Sequence, residues 1–163
     1  MNEKIFNIIF QKYISHKIMK LISMPFNTEY TAIILILVTY FKIFKIYDTV
    51  FILTGVLLIF ILKVSFNRER PFKKYPNEIK NYGSSSYTKI GNRYSYPSGH
   101  AFISMLIILF LNKRCDTNKI TFIIPFLVSI SRITLGVHYL SDVITGSLIA
   151  YLYIKFYEYL NDK

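Results

Sequence analysis

This chain of 163 residues has little cysteine and few acidic residues. Cys115 stands alone, so a disulfide within the chain is impossible and thiolate metal sites are excluded. Asp and Glu together number 9 against 20 Lys and Arg, giving a formal charge of +11. No internal repeat recurs, no linker separates two regions, and the length suits one domain, residues 1–163. The N-terminal stretch lacks a compact apolar core followed by a small-residue cleavage site, so it does not read as a signal peptide.

Apolar surface is what the chain has in excess. Hydrophobic residues make up 53%, with 14 Phe and 14 Tyr, and mean hydropathy is +0.37. A soluble domain of this size would struggle to hide that much, and the apolar residues come in runs; the pattern predicts a membrane protein. The only candidate for nucleic-acid contact is the basic stretch 68–93. Most other basic residues sit at the ends of apolar runs, where they suit anionic lipid headgroups. The expected partners are therefore the bilayer and a membrane lipid, with no nucleic acid.

Residues 3–22 carry apolar side chains at 5, 6, 9, 10, 13, 14, 18, 21 and 22, with Lys4, Lys12, His16, Lys17 and Lys20 between them. That period predicts an amphipathic helix lying at the membrane interface, broken by Pro25 and Asn27. Spans are expected at about 29–47, 49–66, 99–112, 120–137 and 141–160, several of them tight for the ~20 residues a crossing needs. A polar stretch at 67–96 is the one long loop, and long loops in compact domains are usually functional.

Ionisable residues gather in three fragments at the edges of these spans: 63–71 (KVSFNRERP), 97–100 (PSGH) and 131–142 (SRITLGVHYLSD). Charge at a membrane boundary is costly and marks function by default. Counting the expected crossings puts all three on one membrane face. His138 precedes Asp142 by four residues, so a continuing helix would place both on one face. A carboxylate bonded to one ring nitrogen fixes the tautomer and frees the other to attack; the alternative is a histidine merely satisfied by its neighbour. Pro97 and Ser98 fit a helix start, Gly99 lets a ligand approach the backbone, and the free N–H groups there suit an anion. His100 would stand beside that anion, placed to protonate a leaving oxygen, unless the tetrapeptide is an ordinary cap. Lys63, Arg70 and Arg132 offer cationic donors for phosphoryl oxygens. Lys63 could equally snorkel from a span's end. Arg132 interrupts an apolar segment, where an unpaired charge would cost several kcal/mol.

Together the fragments match K-x6-RP, PSGH and SR-x5-H-x3-D, and the chain thereby resembles the type 2 phosphatidic acid phosphatase superfamily (PAP2) over residues of about 49–155. The resemblance implies an all-α fold: an integral-membrane bundle of five transmembrane helices, six if residues 3–22 span, with an N-terminal amphipathic helix. It implies that His138 is the nucleophile that forms a phosphohistidine, that Asp142 orients it and that His100 protonates the leaving group. Lys63, Arg70 and Arg132 would hold phosphate together with Ser98 and Gly99. It implies no metal or other cofactor, in keeping with the lack of a carboxylate cluster, and a site on the outer, periplasmic or lumenal face. Six-span relatives have three spans before the first motif, whereas only two are evident here, and the loop at 67–96 is short.

The expected activity is hydrolysis of a lipid phosphate or diphosphate: undecaprenyl or other polyprenyl diphosphate, phosphatidic acid or phosphatidylglycerol phosphate. The alternatives are a lipid phosphotransferase, a catalytically silent lipid-binding relative, or an enzyme like the vanadium haloperoxidases. Those haloperoxidases are soluble and much longer, which the apolar runs oppose. The site face carries Arg68, Lys73, Lys74, Lys80, Lys89 and Arg93, the other face Lys42, Lys45, Lys113, Arg114 and Lys119, so the distribution of basic residues does not orient the chain.

Overall fold

The computed structural model describes residues 3–83 and 94–161; residues 84–93 of the polar loop, with Lys89 and Arg93, lie outside the described residues. Among those described, the regular structure is helical apart from one antiparallel bridge between Glu69 and Tyr94. The expected amphipathic helix is divided in two, α1 (Lys4–Tyr13) and α2 (His16–Ser23). Ile14 and Ser15 are extended between them, which frees α1 from the direction of α2. A 3₁₀ turn at Met24–Phe26 leads into α3 (Thr28–Tyr40), and the chain bends by 48° there. Pro25 sits in that turn and Asn27 is extended, so the helix breaks where the sequence places its breakers.

α4 (Ile46–Phe66) runs for 21 residues, about 31 Å, the thickness of a hydrocarbon layer. Ile52, Gly55 and Ile59 face inward, while Leu53, Leu57, Phe60, Ile61 and Val64 are exposed along the outer face. Asn67, in the left-handed conformation, ends the helix and releases the loop that carries Arg68 and Arg70. A short α5 (Pro71–Lys74) lies in that loop.

α6 (Gly99–Cys115) is apolar on all sides and correspondingly buried, enclosed by α4, α7 (Ile123–Thr134) and α8 (Leu140–Asn161). The α6–α8 seam is close because the facing residues are small: Ala101 lies against Gly146, and Ala150 follows one turn on. Phe102, Leu106 and Phe110 of α6, with Ile154 and Tyr157 of α8, build the main core against Ile52 and Ile59 of α4. α7 stops at Thr134, short of the expected 137. Gly136 takes φ +74, and a Cβ there would run into the carbonyl oxygen of Lys80. The chain is thus turned at 135–139, the segment bearing His138.

By length and composition, one helix among the described residues, Ile46–Phe66, can cross a membrane alone, and two segments qualify if the bent pair His16–Phe26 and Thr28–Tyr40 counts as one. The other helices occupy the expected positions but are shorter or carry polar residues. α7 has only 12 residues, and α8 carries Lys155 and Glu158.

The end of the bundle remote from the three motifs is tied by a buried acid. Asp48 is fully buried and accepts the Lys45 N–H at 2.8 Å, the Arg114 guanidinium at 2.8 and 2.6 Å, and the Tyr157 hydroxyl. Those bonds join α4, α6 and α8. Removing one member of a buried pair strands the other, so Asp48→Ala should lower stability by about 3 kcal/mol. Thermal unfolding in detergent reads this as a fall in Tm, and Asp48→Ala combined with Arg114→Leu should recover part of it.

Candidate functional site

The three motifs converge because each lies at the end of a helix that packs on α6. Lys63 is in the last turn of α4, Arg132 in the last turn of α7, and His100 in the first turn of α6. Ser98 caps α6: its Oγ accepts the Ala101 N–H at 3.4 Å and its own N–H donates to the Asp142 carbonyl at 2.9 Å. Gly146 permits this contact, since a Cβ there would overlap the Ser98 carbonyl oxygen. Gly99 stands beside Lys63, whose Cε would be 3.9 Å from a Cβ at that position.

His138 and Asp142 meet, though not by helical spacing, because α8 begins only at Leu140. Instead the Asp142 carboxylate folds back over the first turn. Oδ2 accepts the Tyr139 N–H at 2.9 Å and lies 3.4 Å from His138 Nδ1, while Oδ1 accepts Arg68 Nη1 at 2.7 Å. Asp142 is fully buried and His138 is 2% exposed. The turn itself is wound on Arg132, whose carbonyl accepts the N–H groups of Val137 and His138, each at 3.3 Å.

The polar loop is pinned to this turn. Phe72 N–H donates to Gly136 O at 3.2 Å, Tyr82 N–H to Leu135 O at 3.1 Å, and Arg70 Nη1 to Val137 O at 2.8 Å. Lys63 Nζ reaches across to the carbonyls of Pro97 (2.7 Å) and Ser95 (3.4 Å). Arg132 is 5% exposed; its Nη1 donates to Ser23 Oγ at 3.2 Å and its Nε has no hydrogen-bond partner among the described residues. Neither Lys63 nor Arg132 forms an ion pair with a described carboxylate. All eight residues singled out in the sequence are thus brought to one end of the bundle.

Electrostatics set the state of the imidazole. Burial first, then the positive charges of Arg70, Lys63 and Arg132, hold the His138 pKa well below the ordinary histidine value. This favours the neutral ring. Burial lowers Arg70 to about 10, opposed by Asp142, which leaves it cationic at any pH of interest. No group of His, Cys, Asp and Glu suited to a metal ion occurs among the described residues.

Several site residues escaped the sequence reading. Asn27, at the break before α3, accepts from His100 Nε2 at 2.9 Å and so fixes that ring. Ser23 holds Arg132. Arg68, counted only as a surface charge, binds Asp142 directly and is itself paired with Glu3, while Asn7 donates to the His138 carbonyl. The available signal was polar residues in otherwise apolar settings: Asn27 at a helix break, and 3, 7 and 11 recurring every fourth residue of an amphipathic helix.

Comparison with known proteins agrees with the geometry. The family model described as PAP2 superfamily matches residues 44–163. An uncharacterized protein of Methanocaldococcus jannaschii is 36% identical over 70 residues, 43% of this chain and 29% of that protein, so the match spans under a third of its length. The crystal structure of a transmembrane PAP2 type phosphatidylglycerolphosphate phosphatase from Bacillus subtilis superposes with a TM-score of 0.69 at 23% identity, covering 96% of this chain and 84% of that one. Aquifex aeolicus LpxE gives 0.64 at 19% identity, with 90% and 88% covered. At these identities the likeness establishes the fold.

Gly146 tests the seam on which the site is built. Gly146→Ala must push Ser98 and with it His100, and a displacement of ~1 Å can cost about 100-fold in rate. The variant should lose activity to that degree in steady-state assays while its helical circular dichroism is retained.

Proposed function

The chain belongs to the PAP2 superfamily, and from that premise we propose that it is an integral-membrane phosphatase that hydrolyses a lipid phosphate or diphosphate. The observation that carries the reading is Arg132: a buried guanidinium with an unpartnered Nε and no described carboxylate, beside Lys63, Arg70 and the His138–Asp142 pair. Such a surplus of buried positive charge is stable only if an anion completes it. The fold neighbour from Bacillus subtilis is named for phosphatidylglycerolphosphate, already one of the candidate substrates beside phosphatidic acid and undecaprenyl diphosphate. The exposed outer faces of α3 and α4 suit acyl chains and support a membrane-embedded bundle with the site at one face. We place that face outward, on the outer, periplasmic or lumenal side.

In this mechanism Lys63, Arg70 and Arg132 grip the phosphoryl oxygens and stabilise the charge that spreads over them in the transition state. Free N–H groups at the start of α6, around Ser98 and Gly99, add further donors. Asp142 holds the proton on His138 Nδ1, leaving the Nε2 lone pair to attack phosphorus. The P–N bond forms as the P–O bond to the lipid, or to its remaining phosphate, breaks. His100 enters this step with both ring nitrogens protonated, its Nε2–H held by Asn27 Oδ1, and gives the Nδ1 proton to the departing oxygen. Water, deprotonated by His100, then cleaves the phosphohistidine and releases orthophosphate. No step calls for a metal.

The test is phosphate release by the detergent-purified protein in EDTA, from phosphatidic acid, phosphatidylglycerol phosphate and undecaprenyl diphosphate. Release that survives chelator and falls at least about 10⁴-fold in His138→Ala is the expected result. Absence of release from every lipid, with the protein folded, would refute the reading. The pH profile carries a second expectation. Because the His138 pKa is lowered, its neutral attacking form persists into acid. The acid limb of kcat/KM, corrected for the substrate phosphate's own ionisation near pH ~6, should therefore fall below the ordinary histidine value of about 6.5. A limb above that value would contradict the assignment of His138 as nucleophile.

A further inference from the structure

The family match begins at residue 44, so α1 lies outside it, yet α1 and the Glu3 that precedes it are bonded to the site and to the polar loop. Glu3, Asn7 and Gln11 recur every fourth residue and so share one face, while Ile5, Ile9 and Tyr13 are exposed on another. The polar face looks inward. Gln11 exchanges two hydrogen bonds with the backbone of Lys80, Nε2 to O at 2.7 Å and N–H to Oε1 at 3.1 Å. Asn7, fully buried, donates from Nδ2 to the carbonyls of Ile133 (2.8 Å) and His138 (3.0 Å). Glu3 Oε1 accepts the Ser141 N–H at 2.9 Å, and Oε2 pairs with Arg68 Nη2 at 2.5 Å.

Arg68 passes the restraint to the dyad. Its Nη1 donates to Asp142 Oδ1 at 2.7 Å and to Ser141 Oγ at 2.6 Å, and its guanidinium lies 4.1 Å from the centre of the Tyr139 ring. The contact from Asp142 Oδ2 to His138 Nδ1, at 3.4 Å, is at the long limit for a hydrogen bond and cannot orient the two groups unaided. Orientation must come from what holds each partner. Oδ1 of the carboxylate is held by Arg68, and the main chain of His138 by Asn7.

We propose that Glu3, Asn7 and Arg68 are positioning residues for the phosphoryl transfer described above, a latch from the N-terminal helix that aims the Asp142 carboxylate at His138. The inference rests on that functional reading. None of the three is assigned a contact with the substrate. Their effect should be on the rate of attack, not on the phosphate grip of Lys63, Arg70 and Arg132. A surface cavity of about 270 Å³, lined by Glu3, Arg68 and Tyr139 among others, opens beside the guanidinium. A small cation can therefore reach the place that Arg68 occupies.

The experiment measures kcat and KM in detergent for the wild type, Arg68→Ala, Glu3→Gln and His138→Ala, on whichever lipid phosphate the wild type hydrolyses. Arg68→Ala should lose on the order of 100-fold in kcat with KM within about twofold of wild type, as expected for an interaction that acts only in the transition state. Low-millimolar guanidinium chloride should restore part of that loss, which no merely structural defect would allow. Glu3→Gln keeps the side-chain volume and an acceptor for Ser141 but removes the charge, and should lose about tenfold in kcat, the scale of one charge-assisted hydrogen bond. Wild-type kcat in both variants, or a loss confined to KM, overturns the latch. If Arg68→Ala does not fold, Glu3→Gln decides alone on the same split between kcat and KM. A wild type with no His138-dependent release overturns the functional reading and the latch with it. A wild type with such release, beside variants that match it, overturns the latch only.

Discussion

Asp142 is the joint on which the site depends, because three parts of the chain meet on its atoms. Its carboxylate takes the guanidinium of Arg68 on one oxygen and the Tyr139 N–H on the other, with the His138 ring alongside. Its backbone carbonyl takes the N–H of Ser98, so the start of α6 is fixed to the start of α8 by a bond of 2.9 Å. A fully buried carboxylate is tolerable only with this many donors. Of the carboxylate's donors, Arg68 lies within the first motif and Tyr139 within the third, while Ser98 of the second binds the same residue's carbonyl. Stability and assembly of the site are therefore the same requirement.

Charge explains why the rest of the neighbourhood is built from backbone carbonyls. Lys63 and Arg70 point at the carbonyls of Pro97, Ser95 and Val137, and Arg132 at a serine hydroxyl. For Lys63 and Arg132 these neutral acceptors satisfy donors without cancelling the charge. A carboxylate at any of those places would hold the cation more firmly and close it to an incoming phosphate. The contrast with the far end of the bundle is instructive. There Asp48 neutralises Arg114 outright with two hydrogen bonds, and the Tyr157 hydroxyl fills out the pair. One end uses its acid to fix helices together; at the other, Lys63 and Arg132 have no ion pair with a described carboxylate.

The residues of the candidate site were more legible than the architecture. Lys63, Arg70, His100, Arg132, His138 and Asp142 stood out because each is ionisable next to an apolar run, and a buried charge has few reasons to be there. Ser98 was legible as a cap because caps are local. The single helix expected over 3–22 was not found, since the extended backbone at Ile14 and Ser15 is decided by where α1 must sit, not by propensity. α7 stopped before 137 because Gly136 is placed against Lys80, a contact 56 residues away in sequence that no window reveals. Asn7 and Asn27 were hidden for the same reason. Each is an unremarkable polar residue until its partner, the His138 carbonyl or the His100 ring, is known.

The N-terminal segment walls the site on two sides. α1 encloses the dyad from one side and the 3₁₀ turn with Asn27 from another, so that His138 and His100 are each held by a segment upstream of residue 44. α1 also presents Ile5, Ile9 and Tyr13 on its outer face. Apolar side chains in that position are satisfied by a membrane interface and not by water. The same helix thus has one face whose best surroundings are lipid and another whose bonds end on the proposed nucleophile. Withdrawing the lipid removes part of what holds α1 in place, and the orientation of Asp142 toward His138 is what that loss would reach first.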